Sequence, residues 1–200
     1  MADGPTLDRE RSLWKAGYEC VAGVDEAGRG CLAGPVVAAA VIFRRGACVD
    51  GVTDSKLLAR QEREELARRI ERTALAVAVG MCSPKEIDQL NILWAAMEAM
   101  RRAVARLSPA PHYLLIDGNH CFPDAAWPFE TVVKGDLTCH AIAAASIVAK
   151  VTRDRYMHSL HDEYPDYSWH SNVGYPTREH YAALSEHGPT PYHRHSFRLA

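Results

Sequence analysis

Val21-Ala22-Gly23-Val24-Asp25-Glu26-Ala27-Gly28-Arg29-Gly30-Cys31-Leu32-Ala33-Gly34-Pro35-Val36-Val37-Ala38-Ala39-Ala40-Val41-Ile42-Phe43 is the stretch on which the fold turns. Cys20 to Val24 is a short apolar run that ends at an acid, Asp25, and it predicts a strand. Gly28 to Pro35 holds three Gly and one Pro, which predicts a turn with special backbone angles. Val36 to Phe43 is unbroken, apolar and rich in β-branched residues, the pattern of a second, buried strand.

Outward from this pair, a polar turn at Arg44 to Gly46 leads to Ala47-Cys48-Val49, read as a third, short strand. Ala59 to Arg72 alternates in charge, with Leu66 and Ile70 one turn apart, and predicts a partly exposed helix. Ala74 to Met81 is again strand-like. Ser83-Pro84-Lys85-Glu86 is a capping box with Pro at the first helical position, so a helix starts there. A helix follows from Ile92 to Leu107 and stops before Pro109. Tyr113 to Ile116 is a strand ending at Asp117, and Thr131 to Val133 one leading to Asp136. His140 to about His161 predicts a long helix whose first half is nearly all Ala, Ile and Val, small enough to lie close against a sheet. A last helix spans Arg178 to Glu186, closed by Gly188-Pro189. Strands alternating with helices give an α/β fold, and the early clustering of strands points to a mixed sheet.

The chain has 200 residues, 48% hydrophobic and 24% charged, which fits one globular domain with its own core and excludes disorder, collagen and coiled coil. The longest apolar run, Val36 to Phe43, is far short of the roughly 18 residues of a membrane span, and no secretory signal is visible, so a cytoplasmic protein is expected. The net charge of −2 by itself disfavours a nucleic-acid partner. Seven of the ten His stand beyond residue 157. The six Cys include no Cys-x-x-Cys and read as free thiols. His120-Cys121 with Cys139-His140 could compose a zinc site, but neither half has the usual ligand separation.

Three acids stand at or just past strand ends: Asp25, Asp117 and Asp136. In α/β sheets ligands collect at the carboxyl ends of strands. Acids brought together there repel unless a cation sits between them, and an all-carboxylate set suits Mg²⁺ or Mn²⁺. Any one of the three could equally be a turn former. Strict alternation points Asp25 and Glu26 to opposite faces of their strand, and the turn that follows could bend both toward one site. Gly28-Arg29-Gly30 is a weak phosphate-loop signal without the Gly-Lys-Ser/Thr of a P-loop, but it offers unobstructed backbone donors and acceptors. Asp54-Ser55-Lys56 is either a phosphate contact or an ordinary helix cap. Ser146, Lys150 and Arg153 form a polar stripe on the long helix, which a solvated face explains equally well.

Taken together, Gly23 to Gly30 and Leu32 to Ala40 resemble the signature of ribonuclease HII, the type 2 ribonuclease H. Asp54-Ser55-Lys56, Lys134-Gly135-Asp136, Ile142 to Asp154, Val173 to Thr177 and His187 to Pro191 match the same family in order, so the resemblance covers about residues 18 to 198. It implies a ribonuclease H-like α/β fold: a central mixed five-stranded sheet flanked by helices, with a catalytic core over about 18–160 and a small C-terminal helical part over about 161–200. It implies an endonuclease that cuts the RNA strand of RNA–DNA hybrids and nicks 5′ of a single ribonucleotide in duplex DNA, in replication and ribonucleotide excision repair. The family's metal-binding, catalytic acids fall on Asp25, Glu26, Asp117 and Asp136. Its ribose-sensing element falls on Gly28, Arg29 and Gly30, and its sugar-stacking tyrosine on Tyr175. Ser55, Lys56, Ser146 and Lys150 join them as expected substrate contacts. Cys31 departs from the family's frequent Pro, and Asn119-His120 and Leu137 to His140 are untypical choices.

The expected chemistry is hydrolysis with two divalent ions, Mn²⁺ or Mg²⁺, about 4 Å apart across the scissile phosphate, giving 5′-phosphate and 3′-hydroxyl ends. Two such ions would also shift the charge from −2 to about +2, which removes the objection to a nucleic-acid partner. The 2′-hydroxyl tells RNA from DNA, and little base preference is expected. The expected enzyme is a monomer with no membrane contact. Rival readings are another metal-dependent nuclease or phosphotransferase of the same fold, and a non-catalytic hybrid-binding module.

Overall fold

The structure is a computed structural model that describes residues 4–199. Its single sheet has strands β1 (Val21–Ala27), β2 (Val36–Ile42), β3 (Ala76–Cys82), β4 (Tyr113–Asp117) and β5 (Phe129–Val132), in the order β3-β2-β1-β4-β5. β1 pairs antiparallel with β2 and parallel with β4, β2 pairs antiparallel with β3, and β4 parallel with β5. The sheet is therefore mixed, and both parallel pairings bring strand carboxyl ends to the same edge.

The helices are α1 (Asp8–Lys15), α2 (Arg60–Thr73), α3 (Pro84–Leu90), α4 (Ile92–Ala105), α5 (Gly135–Thr138), α6 (His140–Glu163), α7 (Trp169–Asn172) and α8 (Arg178–His187). Two of them cover the sheet. On one face Val21, Ala39, Val41 and Leu115 pack against Ala141 to Ala149 of α6. On the other, Ala22, Val24, Ala38, Ala40 and Ile42 meet Ala95, Ala99, Met100 and Ala103 of α4. The small residues are needed at both contacts: a side chain at Gly23 would overlap the Ala141 backbone, and one at Gly80 the backbone of Ala99 and Ala103. A third cluster, with Leu32, Met157, Trp169 and Leu184, joins the far end of α6 to α7 and α8.

α3 begins at the expected box: Ser83 Oγ accepts from the Glu86 N–H at 3.3 Å, and Glu86 Oε2 accepts from the Ser83 N–H at 2.8 Å. The start of α6 is capped from outside. Glu10, buried on α1, accepts from the Ala141 N–H at 2.8 Å, where negative charge favours a helix N-terminus. α1 itself was not expected, because Leu7 before it supplies no side-chain cap and its sequence is mostly charged.

One expectation fails and another is refined. Ala47 to Val49 is not a strand: both edges of β2 are already taken by β1 and β3, and the Val49 N–H instead finds His140 Nε2 at 3.1 Å. Asp136 stands just past the end of β5, as expected, but in a helical turn and not in extended backbone. Lys134 turns through the left-handed region (φ 56°), and Asp136 sits in the single turn of α5.

Candidate active site

The carboxyl edge of the sheet opens into a cleft of about 220 Å³. β1 brings Asp25 and Glu26 to it, β4 brings Asp117 and α5 brings Asp136. Alternation holds along β1: Val21 faces α6 while Ala22 and Val24 face α4, so Asp25 and Glu26 leave the strand on opposite sides. Both still line the cleft because it lies across the strand's end.

Their hydrogen bonds hold them individually. Asp25 Oδ1 accepts from the Glu26 N–H at 2.7 Å, and Asp117 Oδ1 from the Gly135 N–H at 2.7 Å, which ties the start of α5 to β4. Glu26 Oε1 takes Arg29 Nη1 at 3.1 Å, and Asp136 Oδ2 lies 3.9 Å from Lys56 Nζ. Burial, and then the neighbouring charges of Glu26, Asp117 and Asp136, hold the Asp25 carboxyl well above the usual carboxylate range. Burial also raises Glu26 against the pull of Arg29, and raises Asp136 with help from Asp117 and Asp54. Among the described residues no three of His, Cys, Asp and Glu already converge on one ion-sized point. Four mutually repelling carboxyls thus share a cleft without closing on its centre.

Around the acids stand Gly28, Arg29, Gly30, Ser55, Lys56, Lys150 and Tyr175, all lining the same cleft. Ser55 and Lys56 open a short 3-10 turn capped by Asp54, whose Oδ1 accepts from the Lys56 N–H at 2.9 Å. Lys150 Nζ is held by Asp154 at 2.7 Å and lies 5.4 Å from the Tyr175 ring centre. Ser146 is a correction. It does not reach the cleft, because it is buried in α6 and donates to Ala143 O at 3.1 Å. The stripe it was read into is not a solvated face either, since Arg153 is fully buried.

Sequence reasoning missed the supports beneath the site. Arg194 donates to four backbone carbonyls of the glycine turn, and Arg153 to Ala33 O and to one that it shares with Arg194, Pro35 O. Asp154, besides Lys150, lies 3.7 Å from Arg63, which donates to Ser55 O at 3.2 Å. Apart from Lys150 and Asp154, four residues apart on α6, none of these pairings leaves a spacing signal in the chain. The two halves of the imagined zinc site do not meet: Cys121 packs on the α4 side of the sheet and Cys139 on the α6 side.

Comparison with known proteins gives a consistent result. The family model described as Ribonuclease HII matches residues 22–200. The chain is 56% identical over 196 residues to the Ribonuclease HII of Salinibacter ruber, covering 96% of this chain and 98% of that protein. It is 56% identical over 180 residues to that of Bacteroides thetaiotaomicron, covering 89% of each. Among solved structures, the PCNA:RNase HII complex from Archaeoglobus fulgidus matches with a TM-score of 0.73 at 27% identity, over 90% of this chain and 96% of that one. With its sheet order, its strand-end acids and these matches, the chain belongs to the ribonuclease HII family.

Proposed function

We propose that the chain cuts the RNA strand of RNA–DNA hybrids and nicks duplex DNA on the 5′ side of a single embedded ribonucleotide, with Asp25, Glu26, Asp117 and Asp136 holding two divalent ions. The coarser part follows from the family: it is an endonuclease hydrolase of the ribonuclease H type. The observation that carries the finer part is the meeting, in one cleft, of four acids from three elements with an open glycine turn and two lysines.

The donor set suits a hard divalent ion. Among the described residues the cleft is lined by carboxylates and by no His or Cys. Asp25 and Asp117 each give one oxygen to a backbone N–H, and the other has no donor among the described residues. Burial first, and the neighbouring acids second, raise the Asp25 carboxyl, and a bound cation would offset both. Mn²⁺ or Mg²⁺ bound there would lower the pKa of an attacking water and neutralise charge on the phosphate and leaving oxygen.

The chain's own groups do the rest. Lys56 and Lys150 line the cleft with the acids, and their ammonium groups can meet a backbone phosphate there. Backbone groups of Gly28 to Gly30 can meet a 2′-hydroxyl without side-chain obstruction, which selects ribose. Burial pushes the Tyr175 hydroxyl up, so its ring stays neutral and can pack on the adjoining deoxyribose. Phosphate and sugar contacts carry no base preference.

The test is a closed circular duplex containing one ribonucleotide, incubated with and without Mg²⁺ or Mn²⁺, with the cut mapped to single-nucleotide resolution. A metal-dependent nick on the 5′ side is expected. Cutting of an all-DNA circle at the same rate, or release of mononucleotides from free ends only, would overturn the reading.

A further inference from the structure

Arg153 and Arg194 are both fully buried, and neither guanidinium has a carboxylate partner among the described residues. Taking a cation out of water without a counter-charge costs several kcal/mol in effective terms, so the fold must use it. All seven of their hydrogen bonds go to main-chain carbonyls, and six of the seven end in residues 28–35, where Pro35 O is shared by both arginines. Arg153 takes Pro35 O and Ala33 O at 2.9 Å each, and Val173 O at 2.8 Å. Arg194 takes Gly34 O at 3.0 Å and Pro35 O at 3.2 Å, which anchors the far side of the turn. Its remaining bonds reach Gly28 O at 2.6 Å and Arg29 O at 2.9 Å.

Those last two bonds bear on chemistry. In a trans peptide the C=O and the next residue's N–H point in opposite directions. Holding Gly28 O and Arg29 O beneath the turn therefore aims the Arg29 and Gly30 N–H groups away from Arg194. Both residues line the cleft, and neither N–H has an acceptor among the described residues. Gly28 adopts φ +94°, and a side chain there would collide with Arg153, so the turn rests directly on that guanidinium.

We propose that Arg194 is a positioning residue for ribose recognition, fixing two adjacent peptide groups so that the Arg29 and Gly30 N–H donors face the oxygen of a 2′-hydroxyl. The inference rests on the ribose-reading function above. Arg194 touches no substrate; it acts through the backbone it holds, and its positive charge polarises both peptides toward the cleft. The preceding residues supply the approach, since the Arg194 N–H donates to Leu32 O at 2.8 Å and Gly34 N–H to Tyr192 O at 2.8 Å.

The experiment measures the affinity, by fluorescence anisotropy with Mg²⁺, of a duplex containing one ribonucleotide and of the same all-DNA duplex. Both are measured in the cleavage-blocked Asp25→Asn protein, with and without Arg194→Ala. The expected result is a fall of about tenfold or more in the ratio of the two affinities, with the all-DNA affinity within about twofold of its starting value. Free guanidinium ion should restore part of the ratio, and ammonium at equal ionic strength should not, a difference that a merely structural role would not produce. A folded Arg194→Ala protein with an unchanged ratio, or equal weakening on both duplexes, overturns the proposal. Should Arg194→Ala not fold, Arg194→Lys keeps the charge but loses the planar fork, and the same fall is expected; an unchanged ratio in that variant overturns it. A starting protein that shows no preference for the ribonucleotide would instead refute the function on which the proposal rests.

Discussion

Burial drives Asp25, Glu26 and Asp136 of the acid cluster, and the buried pair His180–His193, toward their neutral forms, the carboxyls upward and the imidazoles downward. They meet at Tyr175, whose ring lines the acid cleft and whose carbonyl accepts from His180 Nδ1 at 2.9 Å. That bond sets the His180 tautomer, so its Nε2 accepts, from Trp169 Nε1 at 3.3 Å and from His193 Nε2 at 3.0 Å. His193 Nδ1 then accepts from the Thr190 N–H at 2.9 Å. The assignment closes with both rings neutral, and burial with the neighbouring His180 pushes His193 down to about 4. The histidine pair satisfies itself; the acids do not. A closed polar network stabilises and locates, whereas an open one has bonding capacity left for something from outside.

The largest effect expected from breaking this contrast is at Asp25. Asp25→Asn should lower cleavage by about a thousandfold or more in single-turnover assays, the scale of losing a metal-held reaction centre, while duplex binding persists. Removing one of four repelling carboxyls should also raise the melting temperature of the metal-free protein by about 2–4 °C, the shift of about 1 kcal/mol at this size. A lower melting temperature would show that the acids are not strained. Tyr175→Ala, at the junction, should slow nicking at single ribonucleotides by about 10- to 100-fold, with unchanged rates removing its role.

The histidine side sharpens the contrast through pH. His193 has a folded pKa of about 4 against an unfolded value of about 6.5. Between those values the unfolded chain binds the proton first, so stability should fall as pH drops below about 6.5, by up to about 1.4 kcal/mol per unit. His193→Gln should flatten that slope in urea melts at pH 5 to 7; an identical slope would mean the ring titrates normally. The smallest effect belongs to charges outside both clusters. Arg101, half exposed and paired with Glu98 at 2.7 Å, should cost less than about 0.5 kcal/mol on mutation to Ala, read by the same melts.

The strands were legible because period and length carry them, and β1, β2 and β4 lie within a few residues of their expected bounds. Asp25, Asp117 and Asp136 could be read as acids at or just past strand ends, and Glu26 only through the family resemblance, but the way Asp136 joins the others depends on the turn at Lys134, a left-handed non-Gly residue that leaves no mark in composition. Alternation placed Asp25 and Glu26 on opposite faces correctly; what it could not supply was the position of the cleft across the strand end. Ser146 and Arg153 share a helix stripe whose exposure is decided by what packs on it, and Arg153 is met by Ala33 and Pro35 from more than a hundred positions away. Arg194 was invisible for the same reason. Long-range backbone contacts have no local period.

At about 1.5 Å per residue, the 24 residues of α6 make a rod about 36 Å long. Glu10 seats one end of it, Lys150 and Arg153 project from its middle, and Met157 and Leu160 plug the far end into the aromatic cluster. It works as a yardstick between the acid edge and the histidine-backed Tyr175. One extra residue after Ala145 would leave Asp136 undisturbed but carry Lys150 and Arg153 about 100° round the axis, so the enzyme's geometry tolerates substitutions along this rod far better than any change in its count.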